Sequence, residues 1–188
     1  MGELIVSEFV TLDGVMEAPG GEPGHPHSGW VFPHVSEEWE ADKHREVEEA
    51  GSLLLGRVTY DSHAGAWPQM AGPFADRMNT MRKRVVSRTL TEPEWANTEV
   101  IGMDAIDAVA SFRREPDEPP MIVVGSHSLV QQLLAADLVD RVRLTVFPVA
   151  VGGGLRVFPD DGVRRDFALS DTTRYSNGVT MLDLVRSR

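Results

Sequence analysis

The sequence contains no cysteine. Disulfides, thiolate zinc sites and cysteine nucleophiles are therefore excluded. Positive charge is scarce: 18 Lys and Arg stand against 29 Asp and Glu, a formal net charge of −11. General nucleic-acid binding, which needs a basic footprint, is not expected. An anionic ligand must then be held by a local group of Arg side chains and backbone N–H groups. No apolar run approaches the length of a membrane span. The opening residues, Met1-Gly2-Glu3-Leu4, lack the basic-then-apolar pattern of a signal peptide, so the expected location is the cytoplasm. The chain has 188 residues, of which 41% are hydrophobic, enough for a sizeable core in one domain spanning 1–188.

The segment most informative about function is Ser52-Leu53-Leu54-Leu55-Gly56-Arg57-Val58-Thr59-Tyr60. A short apolar run ending in Gly reads as an interior strand of a parallel sheet. Thr59 is placed to cap a short helix over 60–62. A strand that ends in Gly and opens a helix presents free N–H groups and a positive dipole end to phosphate. Arg57 adds a planar cation able to grip a phosphate with two hydrogen bonds. Met121-Ile122-Val123-Val124-Gly125-Ser126 is a second strand of this kind, with Leu129, Val130, Leu133, Leu134 and Leu138 following at helical spacing.

Along the chain, residues 4–10 alternate as a first strand, closed by turn chemistry at Thr11-Leu12-Asp13-Gly14. Residues 17–34 form a long Gly/Pro loop, whose apolar end at Trp30, Val31 and Phe32 is expected to dock back onto the domain. Ser36 caps a polar helix running to about residue 50, with Trp39, Val47 and Ala50 facing the core. A short helix over 74–81 precedes a strand at 83–88 with a basic entrance and exit. Residues 98–101 form a weaker strand, and Asp104 caps a helix to about residue 113. A long strand over 141–151 ends in Gly152-Gly153-Gly154, read as a turn permitting close backbone approach. The two alternating segments at 166–174 and 179–185 flank Asn177-Gly178, a hairpin signal. The expected architecture is α/β: a mainly parallel sheet of about eight strands with a C-terminal antiparallel hairpin, and about four helices.

This order of motifs resembles the dihydrofolate reductase-like fold, and most closely the reductase domain of bacterial riboflavin biosynthesis, the RibD C-terminal family. The resemblance rests on Leu12-Asp13-Gly14, Gly56-Arg57-Val58-Thr59-Tyr60, Val85-Val86-Ser87-Arg88, Ile122-Val123-Val124-Gly125-Ser126, and Pro148-Val149-Ala150-Val151-Gly152-Gly153-Gly154 followed by Phe158. It implies an NADPH-dependent reductase that transfers hydride to a small pyrimidine- or pteridine-type heterocycle, or a related imine or carbonyl. The 5-amino-6-(5-phosphoribosylamino)uracil type of reduction is included. It implies NADPH phosphates at Gly56, Arg57 and Thr59, the 2′-phosphate near Ser87 and Arg88, and the pyrophosphate at Gly125, Ser126 and Ser128 with Leu129 behind. Asp13 and Gly14 would lie beside the nicotinamide. In dihydrofolate reductases a carboxylate on the first helix holds the pterin, and counting back from Gly56 places Glu40 there. In a pocket under Trp30, such a carboxyl has a raised pKa and protonates a substrate nitrogen. Trp30 offers its indole for stacking.

The family also implies a homodimer, with the 141–151 strand and the 152–158 turn offering an apolar edge. The competing reading is a non-catalytic nucleotide-binding or structural homodimer that keeps the fold. The remaining residues suggest little else. His25 and His27 lack an accompanying acid pattern, so no metal is expected. Gly125-Ser126-His127-Ser128 is not a nucleophile elbow, which needs Gly two residues either side of the Ser.

Overall fold

A computed structural model describes residues 2–102, 105–115 and 119–187. Its single sheet has eight strands in the order β4-β3-β2-β5-β1-β6-β8-β7. They are β1 (Leu4–Thr11), β2 (Ser52–Gly56), β3 (Arg82–Val86), β4 (Thr98–Ile101), β5 (Met121–Val124), β6 (Arg141–Phe147), β7 (Phe167–Arg174) and β8 (Thr180–Arg186). The first six run parallel, whereas β8 pairs antiparallel with β6, and β7 with β8. This is the mainly parallel sheet with a C-terminal hairpin expected from the sequence. The hairpin turns at Asn177-Gly178, where Gly178 adopts φ +88° and the Asn177 side chain accepts from Val179 N–H.

Five α-helices cover the sheet among the described residues: α1 (Glu37–Glu49), α2 (Arg57–Ala66), α3 (Pro73–Thr80), α4 (Ala105–Phe112) and α5 (His127–Ala135). Asp104, the expected cap of α4, lies outside the described residues. Successive strand residues point to opposite faces, so two cores form. On one face Val47 and Ala50 of α1, Tyr60 of α2 and Met78 of α3 pack on Ile5, Leu53, Leu55 and Val85. On the other, Val109 of α4 and Leu129, Val130, Leu133 and Leu134 of α5 pack on Leu4, Val6, Leu54 and Val123. Neighbouring strands β2 and β5 thus send their helices to opposite faces. In a parallel sheet this leaves a crevice at the strands' carboxyl ends, the usual ligand position.

One expectation is corrected. β6 ends at Phe147 and lies between β1 and β8, so the 141–151 segment is an interior strand and offers no edge. The basic entrance to β3 is fully buried: Lys83 and Arg84 are both 0% exposed. Lys83 Nζ donates to the carbonyls of Met78, Asn79 and Met81 at 2.8–2.9 Å and lies 4.4 Å from the Trp95 ring centroid. It thereby caps the end of α3. Three bonds from a charged donor, each worth about 1.5–3 kcal/mol, offset a burial penalty of several kcal/mol. Arg84 points to the other face, with Nη1 3.4 Å from Ser52 Oγ and its guanidinium stacked 4.1 Å from the Phe112 centroid.

Candidate functional site

The crevice is built from two strand-to-helix joints. At the first, β2 ends in Gly56, which is the N-cap residue of α2; at the second, β5 leads through Gly125 into Ser126, the N-cap residue of α5. Neither helix start has a side-chain cap. In α5 the Leu129 N–H turns back to the Ser126 carbonyl at 2.8 Å, and the N–H groups ahead of it at the helix start are the ones available to another acceptor. One bond locks the joints together: Gly56 N–H donates to Ser126 Oγ at 2.7 Å. Gly125 and Ser126 are consecutive left-handed residues, at φ +60° and φ +63°. A Cβ at Gly125 would sit 3.0 Å from the Thr59 side chain, and one at Gly56 would sit 3.2 Å from Ser126 Cβ. Both glycines thus allow a close approach, and Gly125 a left-handed turn as well. Thr59 lies inside the first turn of α2, correcting its expected role as a cap. The helix already begins at Arg57, and Thr59 packs against Gly125 instead.

Around this crevice the expected cations differ in their engagement. Arg57 Nε is 2.8 Å from both carboxylate oxygens of Asp61, and Nη1 reaches Thr89 Oγ1 at 3.3 Å. It ties α2 to the loop after β3. In that loop Ser87 Oγ accepts from the N–H groups of Thr89 and Leu90 at 3.2 and 3.0 Å, so its hydroxyl builds the turn. Arg88, displayed by this turn, is exposed and makes no ion pair among the described residues. Ser128 is exposed in the first turn of α5, while Leu129 is buried behind it.

At the end of β1, Asp13 binds the chain's own backbone. Its carboxylate accepts from Thr11 Oγ1 at 2.6 Å, Gly152 N at 2.8 Å and Val151 N at 3.3 Å. The Thr11 hydroxyl and the Gly152 N–H hold its pKa down to about 2. Arg156 donates to the Asp13 carbonyl, and Gly14 turns away at φ +79°. The Gly152-Gly153-Gly154 turn does permit close approach, to Val15 of the same chain: a Cβ on Gly154 would stand 2.7 Å from Val15 Cγ1. His25 and His27 belong to this loop contact. His25 Nε2 lies 2.9 Å from Gly153 O, and His27 N–H donates to His25 Nδ1. Among the described residues no three His, Cys, Asp or Glu side chains are grouped to hold a metal.

The expected substrate end is rearranged. Trp30 is 6% exposed; its Nε1 donates to Glu17 O at 2.8 Å, and its ring packs edge-on against Phe147 at 5.3 Å. Phe9 and Trp39 complete the cluster, so Trp30 is a core plug rather than an open stacking surface. Glu40 is exposed and does not share a cavity with it. The inward face of α1 carries Trp39, Lys43, Glu46 and Val47 instead. Lys43 pairs with Glu46 and donates to Ser7 Oγ at 2.9 Å, and Arg143 of β6 approaches Glu46 at 3.6 Å. Burial opposes ionisation of Glu46, but Lys43, Ser7 and Arg143 outweigh it and keep its pKa low. The second carboxylate missed from sequence is Glu8 of β1. It is 4% exposed, and its Oε2 accepts from Gly125 N–H at 3.1 Å. A signal for both existed: Glu8 interrupts an apolar central strand, and positions 39, 43, 46 and 47 share one helical face.

Residues 3–181 match the family model for the RibD C-terminal domain. A curated relative, the uncharacterized protein YyaP of Bacillus subtilis, is 25% identical over 95% of this chain and 92% of its own. Among solved structures, a putative riboflavin biosynthesis protein from Shewanella sp. PV-4 superposes with a TM-score of 0.73 at 20% identity, covering 99% of both chains. The diaminohydroxyphosphoribosylaminopyrimidine deaminase/5-amino-6-(5-phosphoribosylamino)uracil reductase of Thermotoga maritima gives 0.67 at 17% identity, over 99% of this chain and 57% of that one. Dihydrofolate reductase from Enterococcus faecalis, complexed with NADP(H), gives 0.63 at 14% identity, over 100% and 98%. These likenesses establish the dihydrofolate reductase-like fold.

Proposed function

This chain belongs to the RibD C-terminal domain family, and from that premise we propose that it is an NADPH-dependent reductase of a small pyrimidine- or pteridine-type heterocycle. The observation that carries the reading is the crevice at the carboxyl ends of β2 and β5, where two helix starts without side-chain caps are tied together by the Gly56–Ser126 bond. Such a crevice fits a pyrophosphate, whose oxygens accept from first-turn N–H groups. Arg88, exposed and without an ion pair among the described residues, suits the adenosine 2′-phosphate in an otherwise acidic protein.

In this reading Gly56, Arg57, Ser126 and Ser128 hold the phosphates, and the Ser87 turn presents Arg88. Thr59 and Leu129 support the crevice from behind. Asp13 pins the 151–152 turn against the end of β1 and so fixes the backbone of Gly14 beside the ring. When bound, the dihydronicotinamide supplies the hydride. The chain's own part is to orient ring and substrate and to keep water out. The 17–34 loop serves the latter, anchored by Trp30 and by the His25–Gly153 contact. Glu40 has no part in this chemistry.

A homodimer belongs to the same reading, its contact drawn from exposed apolar side chains such as Leu155, Phe158 and Val163 rather than from β6. One observation favours the non-catalytic alternative: Phe9, Trp30, Trp39 and Phe147 fill the space under the loop where a flat heterocycle would stack. Turnover separates the two. Incubated with NADPH and a panel of pyrimidines and pteridines, the protein is expected to consume cofactor with at least one of them. Cofactor binding without consumption across the panel would favour the alternative.

A further inference from the structure

The crevice is held from behind by a carboxyl group that the proposed chemistry does not use. Glu8 lies on the α5 face of β1, in the same alternation as Leu4, Val6 and Val10. Oε2 accepts from Gly125 N–H at 3.1 Å, while Oε1 is buried with no hydrogen-bond partner among the described residues. Gly125 N–H therefore points into the core, and the next residues carry the left-handed turn out to the start of α5. We propose that Glu8 is a positioning residue for the phosphate-binding turn, and that filling the turn with a pyrophosphate is coupled to uptake of a proton by Glu8. This rests on the cofactor reading above.

The coupling arises from like charges on the two sides of one turn. A pyrophosphate on the outer side of Gly125–Ser128 and a carboxylate on the inner side repel one another through a poorly solvated medium. Protonation from solvent forms an O–H bond on one oxygen and leaves the other to accept from Gly125 N–H. The turn is kept while the repulsion is removed. The charged groups that act on Glu8 are Lys43 and Glu46 of α1, which lie across the sheet on the Ser7 face and are paired with each other. From β5, β6 and α5 its neighbours on the same face are the apolar Val123, Leu144 and Leu129. Burial already lifts the Glu8 carboxyl well above its usual 4.5, against the Gly125 bond and Lys43, which lower it, with Glu46 raising it further.

Glu8→Gln keeps an acceptor for Gly125 N–H and cannot ionise. Calorimetric titration of NADPH in two buffers of different ionisation enthalpy counts the protons taken up on binding. As pH passes through the raised folded-state range of Glu8, the wild type should take up a fraction of a proton that the variant does not. Its Kd should rise with pH more steeply than the variant's, by at most about tenfold per unit for one linked proton. Titration of the cofactor's own 2′-phosphate is common to both proteins and cancels. Equal proton uptake with NADPH bound to both would overturn the coupling and leave the cofactor reading intact. Failure of either protein to bind NADPH at all would overturn both.

A ligand-free readout covers the case of a poorly folding variant. A carboxyl whose folded pKa is raised binds more protons folded than unfolded, so its stabilising contribution fades as pH rises from about 4.5 through the folded value. The wild-type melting temperature should fall over that range relative to Glu8→Gln, and parallel profiles would contradict a titrating Glu8. If the variant does not fold, the wild-type buffer comparison is made with NADH, which has no 2′-phosphate, and an absence of proton uptake refutes the coupling.

Discussion

Glu40 and Glu46 stand on the same helix with opposite surroundings. Glu40 faces solvent, whereas Glu46 is 6% exposed between Lys43, Ser7 and Arg143. Glu40→Gln is accordingly expected to change stability by less than about 0.5 kcal/mol, the usual range for a surface substitution, and to leave NADPH affinity unchanged. Trp30→Ala should instead cost about 3–5 kcal/mol in denaturant unfolding, because it empties a buried aromatic site. A Trp30→Ala protein of unchanged stability that had lost substrate binding would restore the stacking role that the burial of Trp30 argues against. At this scale the sequence was least legible. Counting back from Gly56 places a carboxylate on α1 but not on its inward face, and nothing local marks Asp13 as the clamp of a turn so distant in sequence.

The strand-to-helix joints account for more of the site than any side chain does. At Gly125 a substitution meets two obstacles, a left-handed φ of +60° and the Thr59 side chain 3.0 Å from the added Cβ. At Gly152 it meets only the first, at φ +84° with nothing within 4 Å. Gly152→Ala should therefore cost about 1–2 kcal/mol, the left-handed penalty alone. Gly125→Ala should cost more, in the range of about 2–4 kcal/mol once the overpacking at Thr59 is added. Thermal or denaturant melts of the pair check this ordering, and equal losses would mean that the joint has room to relax.

Most elements were visible in the sequence for local reasons: apolar runs ending in Gly for β2 and β5, Ser36 capping α1, and Asn-Gly for the hairpin. What was not visible depended on partners far away in the chain. Lys83 reads only as a basic start to β3, because the carbonyls it caps belong to the end of α3. The 141–151 segment looked like an edge because only the fold reveals β1 and β8 on either side of it.

At the scale of the whole molecule, an acidic protein of net charge −11 holds its candidate anion site by local means. Six parallel strands bring Gly56, Ser87, Gly125 and Asp13 to one edge of the sheet, and the switch in helix direction between β2 and β5 opens the crevice there. The antiparallel hairpin lies at the far side, and its outer strand β7 is mostly polar and broken by a register shift between Leu169 and Asp171, features that discourage pairing with another chain. The central claim is that this edge is an NADPH site, and calorimetric titration of NADPH and NADH into the wild type and Arg88→Ala tests it most directly. The account predicts that NADPH binds more tightly than NADH, and that Arg88→Ala weakens NADPH by about tenfold, the loss of about 1.4 kcal/mol, while leaving NADH nearly unchanged. Equal affinity for the two cofactors in the wild type, or binding of neither, would contradict it.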